Sequence, residues 1–290
     1  MPRFVQWIWR ACAIQLALGL AAYVHFLATG SYFYLHGYFW IFGTLFFLLA
    51  TAAECVLAFQ CRRGFDSDEP MHMVWSMIAL AAAARVVGSA MIAAKNWHLN
   101  WIAGGAHGIG LVQLEGLGRA GAVVGGPLSM VFLAIGLARV LMVQRKFRVL
   151  GGLTWMDKLL LAIIGAFSLS QIGIALPLVQ THPPVATMLL WTSDPLLALL
   201  LVEAVLVRRT VLRIGDGLLA RCWGMYVTAI VATSAGDASI WAAGSGWLSS
   251  SLVPLTWYIW FLAAAAFASA PAYQLAAMSL PLVREQVESR

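Results

Sequence analysis

WSMIALAAAARVVGSAMIAA, residues 75–94, holds twenty consecutive residues of which one, Arg85, carries a charge. A hydrocarbon core about 30 Å thick needs about 20 apolar residues per helical span. The stretch therefore reads as a membrane crossing with a cation inside it, and that cation is the first functional question the sequence poses.

The whole chain reads the same way. Of its 290 residues 62% are hydrophobic and 10% charged, against roughly a quarter charged in a soluble domain. Eight stretches qualify as spans, near 8–29, 38–60, 71–94, 125–144, 157–179, 185–207, 219–242 and 252–274. They leave no sizeable soluble domain, so function resides in the membrane, in short loops or in a partner. The expected fold is all-α, a polytopic integral membrane helical bundle. The first span follows MPRFVQWIWR, a basic segment that also suits a secretory signal, but without a small-residue cleavage site it reads as an uncleaved helix.

Eight spans segregate the basic residues. Arg3, Arg10, Arg62, Arg63, Arg145, Lys146, Arg148, Lys158, Arg208, Arg209, Arg213, Arg221, Arg284 and Arg290 fall on one side, and Lys95 and Arg119 on the other. The positive-inside bias makes the first side, with both termini, cytoplasmic. The expected location is a cell membrane of the bacterial inner-membrane kind. The net charge of +6 thus reports topology, and no nucleic-acid partner is expected. Cys12, Cys55, Cys61 and Cys222 fall near cytoplasmic helix ends, where thiols stay reduced. Outside, SYFYLHGYFWIF (31–42) reads as an interfacial aromatic belt.

Shifted by 148 residues, 75–94 overlays WGMYVTAIVATSAGDASIWA (223–242) with eight identities in twenty, among them Trp75 with Trp223 and Gly88 with Gly236. Glu54 and Glu203 each precede an Arg-Arg pair. These matches predict a 4+4 parallel repeat about an axis along the membrane normal: residues 1–144, a basic linker 145–156, and 157–290. The Gly-rich outer segment 96–126 departs from the repeat and reads as a loop lying on or dipping into the interface.

Ionisable groups inside a span cost roughly 2.5–3.5 kcal/mol by insertion scales unless paired or wetted. Glu54, Glu203 and Arg139 sit near the inner rim, where snorkelling or pairing with Arg62, Arg63, Arg208 and Arg209 accounts for them. Arg85 and Asp194 lie deeper, each about 14 Å below the outer end of its helix at 1.5 Å per residue, so they are expected to form a central pair. Asp237 and His25 approach the same network. It is either a fastener between the halves or the lining of a polar cavity. In Thr192-Ser193-Asp194-Pro195 the proline removes a backbone donor, which predicts a kink, or a break with the inner half of the helix starting afresh.

His36, His98, His107 and His182, with His25, map to the outer side and offer ligands for a metal or haem, or else sit plainly among interfacial aromatics. No phosphate loop, zinc-protease signature or nucleophile-base pair is visible, so a non-enzymatic role is favoured. Three classes fit: a subunit or sensor-like module acting with other membrane subunits or as a homo-oligomer; a carrier for a small solute or proton built on Arg85 and Asp194; and a redox subunit binding haem or quinone. Bound lipid is expected in each.

Overall fold

The computed structural model describes residues 1–31, 35, 37–102, 110–147, 152–178, 184–244, 246–249 and 252–279. Among them are α1 (Arg3–Thr29), α2 (Thr44–Arg63), α3 (Pro70–Ile102), α4 (Gly110–Val123), α5 (Ser129–Lys146), α6 (Trp155–Leu178), α7 (Pro184–Ile214), α8 (Leu218–Gly244) and α9 (Val253–Ser279). Two π-helical segments, Tyr38–Gly43 and Val124–Leu128, lead into α2 and join α4 to α5. No strand occurs among the described residues. Among the described residues, six stretches are long and apolar enough to cross a membrane: Arg3–Thr29, Ile41–Arg63, Pro70–Lys95, Gly116–Lys146, Leu218–Ile240 and Pro254–Ser279. The other two expected spans overlap α6 and α7, of 24 and 31 residues.

Local chemistry sets the helix ends. α1 stops at Gly30, whose φ of 70° is left-handed and whose N–H closes on the Phe26 carbonyl at 2.8 Å, a C-terminal cap that glycine adopts without a Cβ penalty. α2 ends on Arg62 and Arg63, cations that complement the negative end of the helix dipole. α6 begins with a reciprocal capping box: the Thr154 N–H donates to Asp157 Oδ2 at 2.8 Å, and the Asp157 N–H to Thr154 Oγ1 at 3.3 Å. Arg209 of α7 grips the same carboxylate with Nε at 2.6 Å and Nη2 at 2.8 Å. That bidentate clamp ties the start of α6 to the end of α7.

Six helices close a ring in which each packs on the next: α2, α3, α5, α7, α8, α9 and back to α2. α1 stands outside against α9, and α6 outside against α7. Toward the Arg62–Arg63 end of α2 the ring is filled solid by Trp75, Ile78, Leu137, Leu201, Trp223 and Tyr226. Trp75 and Trp223 lie with ring centroids 6.3 Å apart. The thiols of Cys12 and Cys61 donate to the Phe261 and Pro271 carbonyls of α9 at 3.8 and 3.3 Å; all four cysteines are free.

Three sequence expectations need correction. α7 runs unbroken from Pro184 to Ile214 with Pro195 inside it, so there is no fresh start at Asp194. Pro195 removes one donor, and in apolar surroundings keeping the rest of the backbone ladder outweighs that loss. Residues 96–126 are not mainly a loop: α3 extends to Ile102, and α4 passes through the π segment straight into α5. Glycine's low helix propensity is overridden there by close packing. A Cβ on Gly88 would come within 2.5 Å of the Gly121 carbonyl oxygen and the Gly125 Cα, so α3 crosses this segment backbone to backbone, as small residues four apart allow. The third correction concerns the aromatic belt, part of which is core. Tyr38 is buried and donates its hydroxyl to the Gln15 carbonyl of α1, while Phe42 remains exposed.

Candidate functional site

Above the solid core the ring encloses a cavity of about 420 Å³. Every ring helix contributes to its wall: Thr44, Phe47, Thr51 and Glu54 from α2, Arg85 and Ser89 from α3, Ser129 and Met130 from α5, Ser193 and Leu197 from α7, Thr233 and Asp237 from α8, and Trp257, Trp260 and Phe267 from α9. Gly125 and Gly126 of the π segment line it as well, and Thr44 follows directly on the other π segment. Widened helical turns of this kind recur at functional sites. The Ser129 hydroxyl donates to the Gly125 and Gly126 carbonyls at 2.7 and 2.8 Å.

The chemistry of the wall centres on Arg85. Its Nε donates to Glu54 Oε2 at 3.0 Å and its Nη2 to Glu54 Oε1, a side-on bidentate pair. The guanidinium carbon lies 4.5 Å from the centroid of the Phe267 ring, so an aromatic face supplements the carboxylate in stabilising the cation. Glu54 is 0% exposed and Arg85 9%. Two ions so deeply withdrawn from water persist only when paired in good geometry, and both oxygens of Glu54 are occupied by Arg85. Thr51 and Thr233 donate their hydroxyl protons to their own helices, to Phe47 O and Ala229 O, each at 2.9 Å. They, like Ser129, therefore present acceptors to the cavity.

The other sequence-derived candidates distribute as follows. Asp237 is on the cavity wall and is engaged with groups of the protein. Asp194 belongs to α7, beside the wall residue Ser193; its side chain lies outside the described residues. His25 is on α1, outside the ring, with its Nδ1 3.4 Å from Thr29 Oγ1, and it does not join Arg85. Glu203 is buried with Oε2 lacking a hydrogen-bond partner, and Arg209 pairs with Asp157. Arg139 is exposed on α5. His36, His107 and His182 lie outside the described residues, as does the side chain of His98 in α3. Among the described residues, no group of three His, Cys, Asp or Glu side chains is placed to hold a metal.

Sequence reasoning missed the partner of Arg85. It set Glu54 near a helix end at residue 60, whereas α2 continues to Arg63, nine residues and about 14 Å beyond Glu54. The available signal was the Arg62–Arg63 pair, which marks where α2 ends.

No protein-family model, curated protein or solved structure matches this chain.

Proposed function

We propose that this chain is an integral membrane protein of eight spans with both termini cytoplasmic, that its halves form a 4+4 parallel repeat, and that it binds a small solute in the central cavity as a carrier. The observation that carries the reading is a cavity of about 420 Å³ bounded by all six ring helices, with a buried ion pair on its wall. Small-molecule sites are cavities of roughly this size, mostly apolar with a few fixed polar groups.

The helix neighbours support the repeat. Replacing α2 by α7, α3 by α8 and α5 by α9, and the reverse, returns the same ring. Trp75 and Trp223, matched by the 148-residue offset, face each other across it. Arg85 and Thr233 match by the same offset, as do Ser89 and Asp237, and all four are on the cavity wall. Binding at the interface of two repeats is what transporters with this kind of symmetry use. The outlying helices depart from the pattern, because α1 leans on α9 while α6 leans on α7.

The charge map supports a direction. The cavity lining runs along α2 from Thr44 to Glu54, and the opposite end of α2 carries Arg62 and Arg63 beside the solid core. By the positive-inside bias the cavity lies in the outer half and the packed plug in the cytoplasmic half. An alternating carrier needs such a plug to rearrange. A sensor-like module would need only binding.

Solute counterflow in proteoliposomes separates the two. A carrier exchanges labelled solute and loses exchange in Arg85→Gln. Binding without exchange would reject the carrier reading and leave a sensor-like module working with partner subunits.

A further inference from the structure

We infer that the ligand of this cavity is a small organic monocarboxylate with an apolar, uncharged body, held by the edge of Arg85 that Glu54 leaves open. The inference rests on the solute-binding reading and adds its chemical class.

A guanidinium carries five N–H donors in a fixed fork. Glu54 takes the side formed by Nε and Nη2, and Nη1 makes no hydrogen bond among the described residues. The end-on edge, Nη1 with the second N–H of Nη2, is therefore available on a side chain that is nine-tenths buried and lines a cavity. That edge is accessible from the cavity, and its two parallel donors match the two oxygens of a carboxylate. Glu54 and Phe267 fix the fork in place before a ligand arrives, which lowers the ordering cost of binding.

The rest of the wall narrows the class. The hydroxyls of Thr51, Ser129 and Thr233 donate to their own helix carbonyls, so they do not compete with Arg85 as donors. An ammonium ligand finds no free oxygen on Glu54, because Arg85 occupies both. A phosphate or dicarboxylate brings more than one negative charge to a wall that already carries Glu54 and Asp237, whereas Arg85 is the only cation on the described wall. Phe47, Trp257 and Trp260 offer flat apolar surface to the remainder of the molecule.

Benzoate, benzamide, benzylamine and inorganic phosphate, titrated calorimetrically into the purified full chain in detergent, test this. Benzoate should bind. Arg85→Gln should weaken it on the order of tenfold or more, the scale of lost charge-assisted hydrogen bonds. Arg85→Lys, which keeps the charge but not the two-donor edge, should recover only part. Glu54→Gln should tighten benzoate binding, because it removes the opposing negative charge while retaining an acceptor for Nε. Preferred binding of benzylamine, benzamide or phosphate would overturn the carboxylate and leave solute binding standing. Benzoate binding unchanged in Arg85→Gln and Arg85→Lys would overturn the assignment to Arg85. Binding of none of the four would overturn both readings, and benzoate binding without counterflow would overturn only the carrier.

Discussion

Arg85 of α3 holds both carboxylate oxygens of Glu54 of α2, and its guanidinium rests on Phe267 of α9. One side chain thus joins three of the six ring helices where the packed core gives way to the cavity. Truncating either ion leaves the other buried and unpaired, so Glu54→Ala and Arg85→Ala should each destabilise the protein by about 3–5 kcal/mol. Replacing both with methionine should recover much of that loss, because the desolvation cost goes with the charges. Thermal unfolding of the purified protein in detergent reads all three.

Gly88 predicts a different kind of failure. Its missing side chain lets the α3 backbone meet Gly121 and Gly125, so Gly88→Leu should force the helices apart and cost about 1–3 kcal/mol as overpacking. A methyl group added at Gly126 would meet nothing within 4 Å, and Gly126→Ala should leave the midpoint of unfolding within about 0.5 kcal/mol of the parent.

The clamp between α6 and α7 should fail locally. Asp157 accepts the Thr154 N–H at the start of its own helix and two hydrogen bonds from Arg209. Asp157→Ala removes the carboxylate half of the box and the clamp together and should cost about 2 kcal/mol. Hydrogen exchange should accelerate in the first turn of α6 and stay unchanged at the Glu54–Arg85 level of the ring.

Glu203 differs from Glu54 in having no arginine: its Oε2 has no hydrogen-bond partner, whereas both oxygens of Glu54 are held by Arg85. A buried, unpaired carboxylate is expensive, so Glu203→Gln should leave stability unchanged or raise it. The same change at Glu54 removes one charge of a working pair and should lower it. Measured side by side, the unfolding midpoint should fall in Glu54→Gln and not in Glu203→Gln.

These contrasts follow what the sequence made legible and what it hid. Long apolar runs such as 75–94 and 219–242 locate helices directly, because the hydrophobic length needed to cross a bilayer leaves few alternatives. The 148-residue offset overlays Trp75 on Trp223, and the fold brings the two rings to 6.3 Å between centroids. The partner of Arg85 was hidden by depth: counting from helix ends carries the error of each boundary, and three residues of extra α2 moved Glu54 from rim to middle. The helical course of 96–126 was hidden because its glycines favour a loop by propensity and a close helix crossing by packing. Only the position of Gly88 on the facing helix decides between them. Pro195 misled for a related reason, since a proline shows the donor that is lost and not the ladder that remains.

The central claim, a cavity entered from the side opposite the termini, is tested most directly by thiol accessibility. In a Cys55→Ala background, Thr233→Cys on the cavity wall and Leu201→Cys in the packed core would be exposed to a membrane-impermeant thiol reagent, in intact cells and in inverted vesicles. A cavity open to the outside predicts labelling of Thr233→Cys in intact cells, slowed by benzoate, with Leu201→Cys unreactive in both. Labelling of Thr233→Cys only in inverted vesicles, or from neither side, would contradict it.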